Sequence, residues 1–223
     1  MRKLILLTFL FIYSISLIAR NDITKFLGIP IDGTKSEMIK KLKDKGFKVS
    51  FQDRDALKGE FNGEEVKLYI VTDNNKVWRI CVFDELTRDE VQIKIRYNKL
   101  CSQFENNDNY LSGILNDTTY TILEDEDISY NITVNKKQYS ATYLQKIDKE
   151  FQNWYYPKFL ELKNKEIDQL TEEEMEILFS EISRMSDNLI NKIVWFTIDK
   201  DNSGYKILMY YDNLYNRSNG EDL

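Results

Sequence analysis

The chain has no histidine, two cysteines and two prolines in 223 residues. Without imidazole it lacks the usual general base near neutral pH, the commonest zinc ligand, and every Ser-His or Cys-His nucleophile pair. Catalysis would fall to carboxylate pairs, a Ser-Lys dyad or tyrosine, and no such set stands out by spacing. No glycine-rich phosphate loop is present. Thirty-one Lys and Arg stand against 37 Asp and Glu, a net charge of −6. An acidic chain lacks the clustered cations that displace counterions from nucleic acid or hold anionic lipid.

The two cysteines allow one bridge or none. Cys81 falls in an expected strand and Cys101 in the helix after it. A disulfide could form where helix packs on sheet in an oxidising compartment; the alternative is two buried thiols acting as small hydrophobes. Long apolar runs are also scarce. Only Leu4 to Ala19 qualifies, behind the basic Met1-Arg2-Lys3. At about 16 residues it is short for a membrane span. It reads as a secretory signal peptide over residues 1–19, with small-residue cleavage positions at Ser14-Ile15-Ser16 and at Ala19-Arg20. The expected location is secreted or periplasmic, with no integral membrane span after cleavage.

The remaining sequence alternates short strand patterns with amphipathic helices. FLGIPIDGTKSEMIKKLKDKGF, from Phe26 to Phe47, reads as an entry unit. Asp32-Gly33 turns the chain, Thr34 or Ser36 caps a short helix, and Gly46 ends it. Asn62-Gly63 between Leu57–Phe61 and Val66–Thr72 is a strong hairpin signal. A further strand follows over Val77–Phe83. Thr87 with Glu90 forms an expected capping box for a helix running to about Phe104. Its stripe is Ile93, Tyr97, Leu100 and Phe104. Strand patterns recur at Thr119–Leu123, Ile128–Val134 and Tyr139–Leu144. The acids of Glu124 to Asp127 could hold a cation, but in so tight a turn they read as a solvated loop. A helical expansion spans 147–187, broken at Pro157 and restarted at Thr171, with Met175, Leu178, Ile182 and Met185 as its buried stripe. Two strands, Ile190–Ile198 and Tyr205–Tyr211, close the chain. The expected class is α+β: antiparallel meanders with helices packed on one face. The chain divides as an N-terminal unit over 20–115 and a C-terminal unit over 116–223, or forms one continuous domain. No clear internal sequence repeat is visible.

Two stretches, FLGIPIDGTKSEMIKKLKDKGF and YKILMYYDNLYNR, resemble small secreted bacterial proteins of unknown function grouped with the beta-lactamase-inhibitor-like fold. The similarity rests on Gly28, Pro30, Asp32, Gly33, Leu42, Gly46 and Phe47, and on Tyr211, Asp212 and Asn216. It implies helices packed on one face of an antiparallel sheet, sometimes as a tandem repeat, and carries no catalytic motif.

The functional expectation is an exported, non-catalytic module that binds a protein or envelope component and needs no cofactor. An open sheet face bearing Tyr69, Trp78 or Tyr143 would give a flat aromatic surface. The dense group of Trp154, Tyr155 and Tyr156 offers a recognition surface or a core. Asp199, Asp201 and Ser203 spell the front half of a calcium loop, or else a polar hairpin turn. A calcium-stabilised envelope protein and a carboxylate- or Ser-Lys-type hydrolase are the alternatives. Sequons stand at Asn116, Asn131 and Asn216.

Overall fold

A computed structural model describes residues 22–113 and 119–218; the segment read as a signal peptide and the sequon at Asn116 lie outside them. The chain enters as a small hairpin, β1 (Lys25–Phe26) and β2 (Ile29–Pro30). Helix α1 (Lys35–Asp44) follows, and Thr34 caps it. The Thr34 hydroxyl accepts from the Glu37 N–H, and the Glu37 carboxylate accepts from the Thr34 N–H. This reciprocal pair satisfies groups that a helix start leaves orphaned. Met38 and Leu42, one turn apart, enter the core.

Strand β3 (Lys48–Val49) is short, and Phe51 beyond it is fully exposed. Strands β4 (Ala56–Phe61) and β5 (Glu64–Asp73) pair across Asn62 and Gly63, whose φ angles are +55° and +77°. Two left-handed residues are what a type I′ hairpin requires. Strand β6 (Lys76–Asp84) completes the meander.

Helix α2 (Glu90–Glu105) is capped by Asp89 rather than Thr87. The Asp89 carboxylate accepts from the Gln92 N–H at 2.8 Å. The sheet claims the residue between them: Arg88 exchanges both backbone hydrogen bonds with Tyr205, each 2.9 Å. Strand β7 (Tyr110–Ser112) forms after the Asn-rich loop. The expected strand over Ile128–Val134 is instead helix α3 (Ile128–Thr133). Asp127 accepts from the Tyr130 N–H at 2.7 Å, and the Glu90 carboxylate of α2 accepts from the Ile128 N–H at 3.0 Å. A cap and a tertiary bond outweigh the β-branched composition. No strand forms over Thr119–Leu123. The Asn98 side chain holds Ile122 there through its N–H and C=O, both at 2.8 Å.

Strand β8 (Ser140–Gln145) leads into the helical excursion: α4 (Lys149–Tyr155), α5 (Pro157–Leu162) and α6 (Glu172–Ile190). Pro157 opens α5, where its missing N–H costs nothing. Thr171 and Glu174 form the capping box of α6. The expected stripe of α6 is not a core stripe: Met175, Leu178 and Met185 are half-buried and Ile182 is exposed. Glu181 and Asn188 are buried in their place. Glu181 accepts from the Phe159 N–H, and Asn188 bonds the hydroxyls of Tyr156 and Tyr215. Polar contacts orient this helix, a signal that apolar periodicity does not carry.

Strands β9 (Lys192–Asp201) and β10 (Gly204–Asn213) close the sheet. Its order is β3-β4-β5-β6-β10-β9-β8-β7, and every neighbouring pair is antiparallel. The order reads the same from either edge, with β6 and β10 at the centre. The halves share a residue pattern: Val66, Leu68 and Ile70 of β5 match Val194, Phe196 and Ile198 of β9 at one constant spacing, all six buried. The hairpin residues Asp73-Asn74 match Asp201-Asn202 at the same spacing. The strand order of one half is thus repeated in the other, and this short stretch of sequence repeats with it.

One continuous core lies on a single face of the sheet. Alternate residues of β10 (Tyr205, Ile207, Met209 and Tyr211) enter it, against Ile93, Tyr97 and Leu100 of α2. Tyr143 belongs to this covered face, not to an open one. It is 0% exposed, its ring stacks on Phe104 at 4.6 Å, and its register follows that of Val194. Cys101 lies in the same core, whereas Cys81, paired with Tyr69 and Tyr210, points to the opposite face. The sheet separates the two thiols, so no bridge joins them, and both are free and buried. Burial pushes the Cys81 thiol up to about 11 and the Cys101 thiol up to about 12. No helix among the described residues is long and apolar enough to cross a membrane.

Both thiols are expected to react with Ellman's reagent only in denaturant, and dithiothreitol should leave the thermal midpoint unchanged. A midpoint that falls with reductant would contradict the separation of Cys81 from Cys101.

Candidate functional site: the outer sheet face

The strand parity that sends Val66, Phe196 and Met209 inward sends their neighbours outward. On the face opposite the core, the register aligns one row across four strands: Tyr69 of β5, Cys81 of β6, Tyr210 of β10 and Trp195 of β9. None of these side chains belongs to the core cluster. Trp195 and Tyr210 stack at 4.1 Å between centroids with 20° between planes. Phe83 meets Tyr210 edge-on at 5.8 Å and Tyr69 at 5.4 Å. The Tyr69 hydroxyl donates to Asp53 at 2.9 Å. Burial, then that acceptor, pushes the Tyr69 phenol up.

Beside this row, Arg79 and Asp212 face each other across the central strand pair. The guanidinium forks onto the carboxylate, Nε to Oδ1 and Nη2 to Oδ2, both at 2.6 Å. The Trp195 indole N–H donates to the same carboxylate at 3.1 Å. Burial pulls the Arg79 pKa down, and the hydrogen bonds and charge of Asp212 more than reverse it. The guanidinium carbon lies 4.3 Å from the Trp78 ring centroid, 4.9 Å from Tyr210 and 5.5 Å from Trp195. Arg217 approaches the Trp78 ring at 5.2 Å. A planar cation among aromatic faces, neutralised by one buried carboxylate, is thus fixed in place without a ligand.

Of the residues singled out from sequence, Tyr69 and Trp78 belong to this outer surface. Trp154, Tyr155 and Tyr156 form a separate group at the end of α4, with Tyr156 as its C-cap. Trp154 is 50% exposed, Tyr156 is fully buried, and Tyr155 stacks on Phe151 at 4.9 Å with Arg184 4.3 Å from its ring. Arg79, Phe83, Trp195, Tyr210 and Asp212 were not anticipated. The signal for Trp195 was present: Val194, Phe196 and Ile198 fix the inward parity of β9. Arg79 carries the same signal, since it alternates with the buried Ile80 and Val82; the register shift opposite Val71 and Thr72 falls at Trp78.

Asp199, Asp201 and Ser203 sit at the β9–β10 hairpin. The Asp201 carboxylate accepts from the Ser203 N–H at 2.7 Å and from the Ser203 hydroxyl, which holds its pKa below the ordinary value. Asp199 stands across from Lys206. Among the described residues, no group of three or more His, Cys, Asp or Glu could hold a metal ion. A cleft of about 1050 Å³ opens at the end of the sheet where β8 leaves and β9 enters. Its two deepest carboxylates are already paired, Asp22 with Lys192 at 2.5 Å and Asp148 with Lys25 at 2.9 Å. Burial pulls the Lys192 pKa down against the opposing pull of Asp22. No serine among the described residues lines the cleft.

Comparison of the chain with family models, with curated proteins and with solved structures returns no match.

Arg79→Ala leaves the buried Asp212 carboxylate without its cation and is expected to cost about 3 kcal/mol in denaturant unfolding. Arg79→Lys should recover only part, since an ammonium cannot fork. A loss below about 1 kcal/mol for Arg79→Ala would show that the pair is solvated.

Proposed function

We propose that the chain is an exported, non-catalytic binding module that receives a protein partner on the outer sheet face. The observation that carries this reading is the row from Tyr69 to Trp195 flanked by Arg79. Trp, Tyr and Arg dominate the energetics of protein interfaces, because they offer large rigid area with a polar edge and lose little side-chain freedom. Here their freedom is already spent: the rings stack on one another and the guanidinium is forked onto Asp212. Preorganisation of this kind lowers the cost of binding. The helices that enter the core lie on the other side, as the resemblance to the beta-lactamase-inhibitor-like group implies. Export rests on the basic and apolar residues that open the sequence.

The test is capture from an envelope extract with the chain immobilised from residue 20 onward. The variants are Trp195→Ala/Tyr210→Ala on the outer face and Val91→Ala/Ile95→Ala on the exposed side of α2. The outer-face pair is expected to weaken retention of the partner by about 2 kcal/mol or more, some thirty-fold, while the helix pair binds like wild type. Both should keep native circular dichroism. Equal retention by the outer-face variant would contradict the proposal.

A further inference from the structure

The cleft at the end of the sheet holds a residue that the fold does not want. Leu27 forms the β1–β2 turn with Gly28, at φ +50° and +77°. A type I′ turn asks for Asn or Gly in its first central position, and a branched side chain there is strained. Leu27 is also 39% exposed, so core packing does not compensate the strain. Backbone strain kept at an exposed position points to use of the side chain.

Its surroundings say what that use is. The polar groups at the base of the cleft satisfy one another. Gln145 accepts from the Lys25 N–H at 2.7 Å and donates to the Lys25 carbonyl at 3.1 Å. Asp22 accepts from Lys192 and from the Asp148 N–H. Apolar side chains stand above them: Leu27, Leu111, Ile147, Met185 and Leu189 line the space, and Leu111 is 41% exposed. Around them stand four exposed charges, Lys146, Lys149, Asp108 and Glu150, whose side chains make no hydrogen bond or ion pair among the described residues. The volume is at the upper end of small-ligand pockets, roughly 300–1,000 Å³.

We infer that this cleft is a second binding site, and that it takes a polypeptide segment in which apolar side chains alternate with charges of both signs. The apolar wall accepts the aliphatic groups, with Leu27 as their anchor. The mixed rim selects against amphiphiles of a single charge, since any such ligand would meet like charge on one side. Met185 gives the wall a flexible side chain that adapts to the segment. The cleft lining shares no residue with the row from Tyr69 to Trp195, and the inference stands independently of the outer-face reading.

The probe is a short capped peptide alternating leucine with lysine and glutamate, titrated into the isotope-labelled chain. Backbone NMR shifts are expected at Leu27, Leu111 and Met185. Leu27→Asn relieves the turn while removing the anchor. It should raise the thermal midpoint and weaken the peptide about ten-fold, the loss expected for one buried aliphatic side chain of about 1.5 kcal/mol. The Trp195→Ala/Tyr210→Ala variant should bind the peptide like wild type, which separates failure here from failure of the outer-face reading. The inference is overturned by absent shifts at the cleft, by unchanged affinity in Leu27→Asn, by a lowered midpoint in that variant, or by tighter binding of dodecylphosphocholine than of the peptide.

Discussion

The pairing of β6 with β10 is the contact on which the rest of this structure depends. It joins Phe83 to Leu208, Cys81 to Tyr210 and Arg79 to Asp212, residues from the two halves of the chain. Each half-sheet alone would end in an unpaired strand, a template for association with other chains. Closing so long a loop costs entropy that grows only slowly with length, so a few strong contacts suffice to hold it. The seam has them. Arg79 forks onto Asp212, the Thr24 hydroxyl donates to the Asp212 carbonyl, and Asn213 donates to the Ile31 carbonyl at 2.7 Å. Beyond the strand end, Asn216 donates to the Val77 carbonyl at 2.8 Å. The entry segment thus works as a clasp across strands from both halves.

The same seam makes the candidate site. In an antiparallel sheet with helices on one side, every second residue of a central strand is left facing away from the core. On β4 and β5 those residues include Lys58, Glu60, Glu65 and Lys67. At the seam they include Phe83, Cys81, Arg79, Leu208, Tyr210 and Asp212. The near-symmetry of the two halves is broken there. The turn before β6 uses left-handed Asn74 and Asn75, whereas the turn before β10 does not. Buried charge is placed elsewhere in a structural role: Arg88 and Arg96 share Asp84, at 2.8 and 3.3 Å, and so pin the start of α2 to the end of β6.

Much of the architecture was legible where a local signal coincides with the tertiary outcome. Asn62-Gly63, Thr34, Thr171 and Pro157 each act through their own backbone chemistry, and each does what its spacing implies. The face of the sheet was legible in principle, and Tyr69 was placed correctly. Tyr143 was not, because an aromatic residue in a short strand gives no parity until its neighbours are paired. Ile128–Thr133 reads as strand by composition and becomes helix through a cap and a bond from Glu90. The polar anchoring of α6 by Glu181 and Asn188 has no periodic signature. The Arg79–Asp212 pair joins two residues that only the seam brings together, so no local pattern could announce it.

The central claim is that the surface assembled at the seam is where a partner sits. Oxidative footprinting of the chain with and without its captured partner tests this most directly. The account predicts that labelling of Trp195, Tyr210 and Trp78 falls in the complex, while Trp154 and Phe179 of the helical excursion label as before. Unchanged labelling at the seam with protection of Trp154 and Phe179 would contradict it.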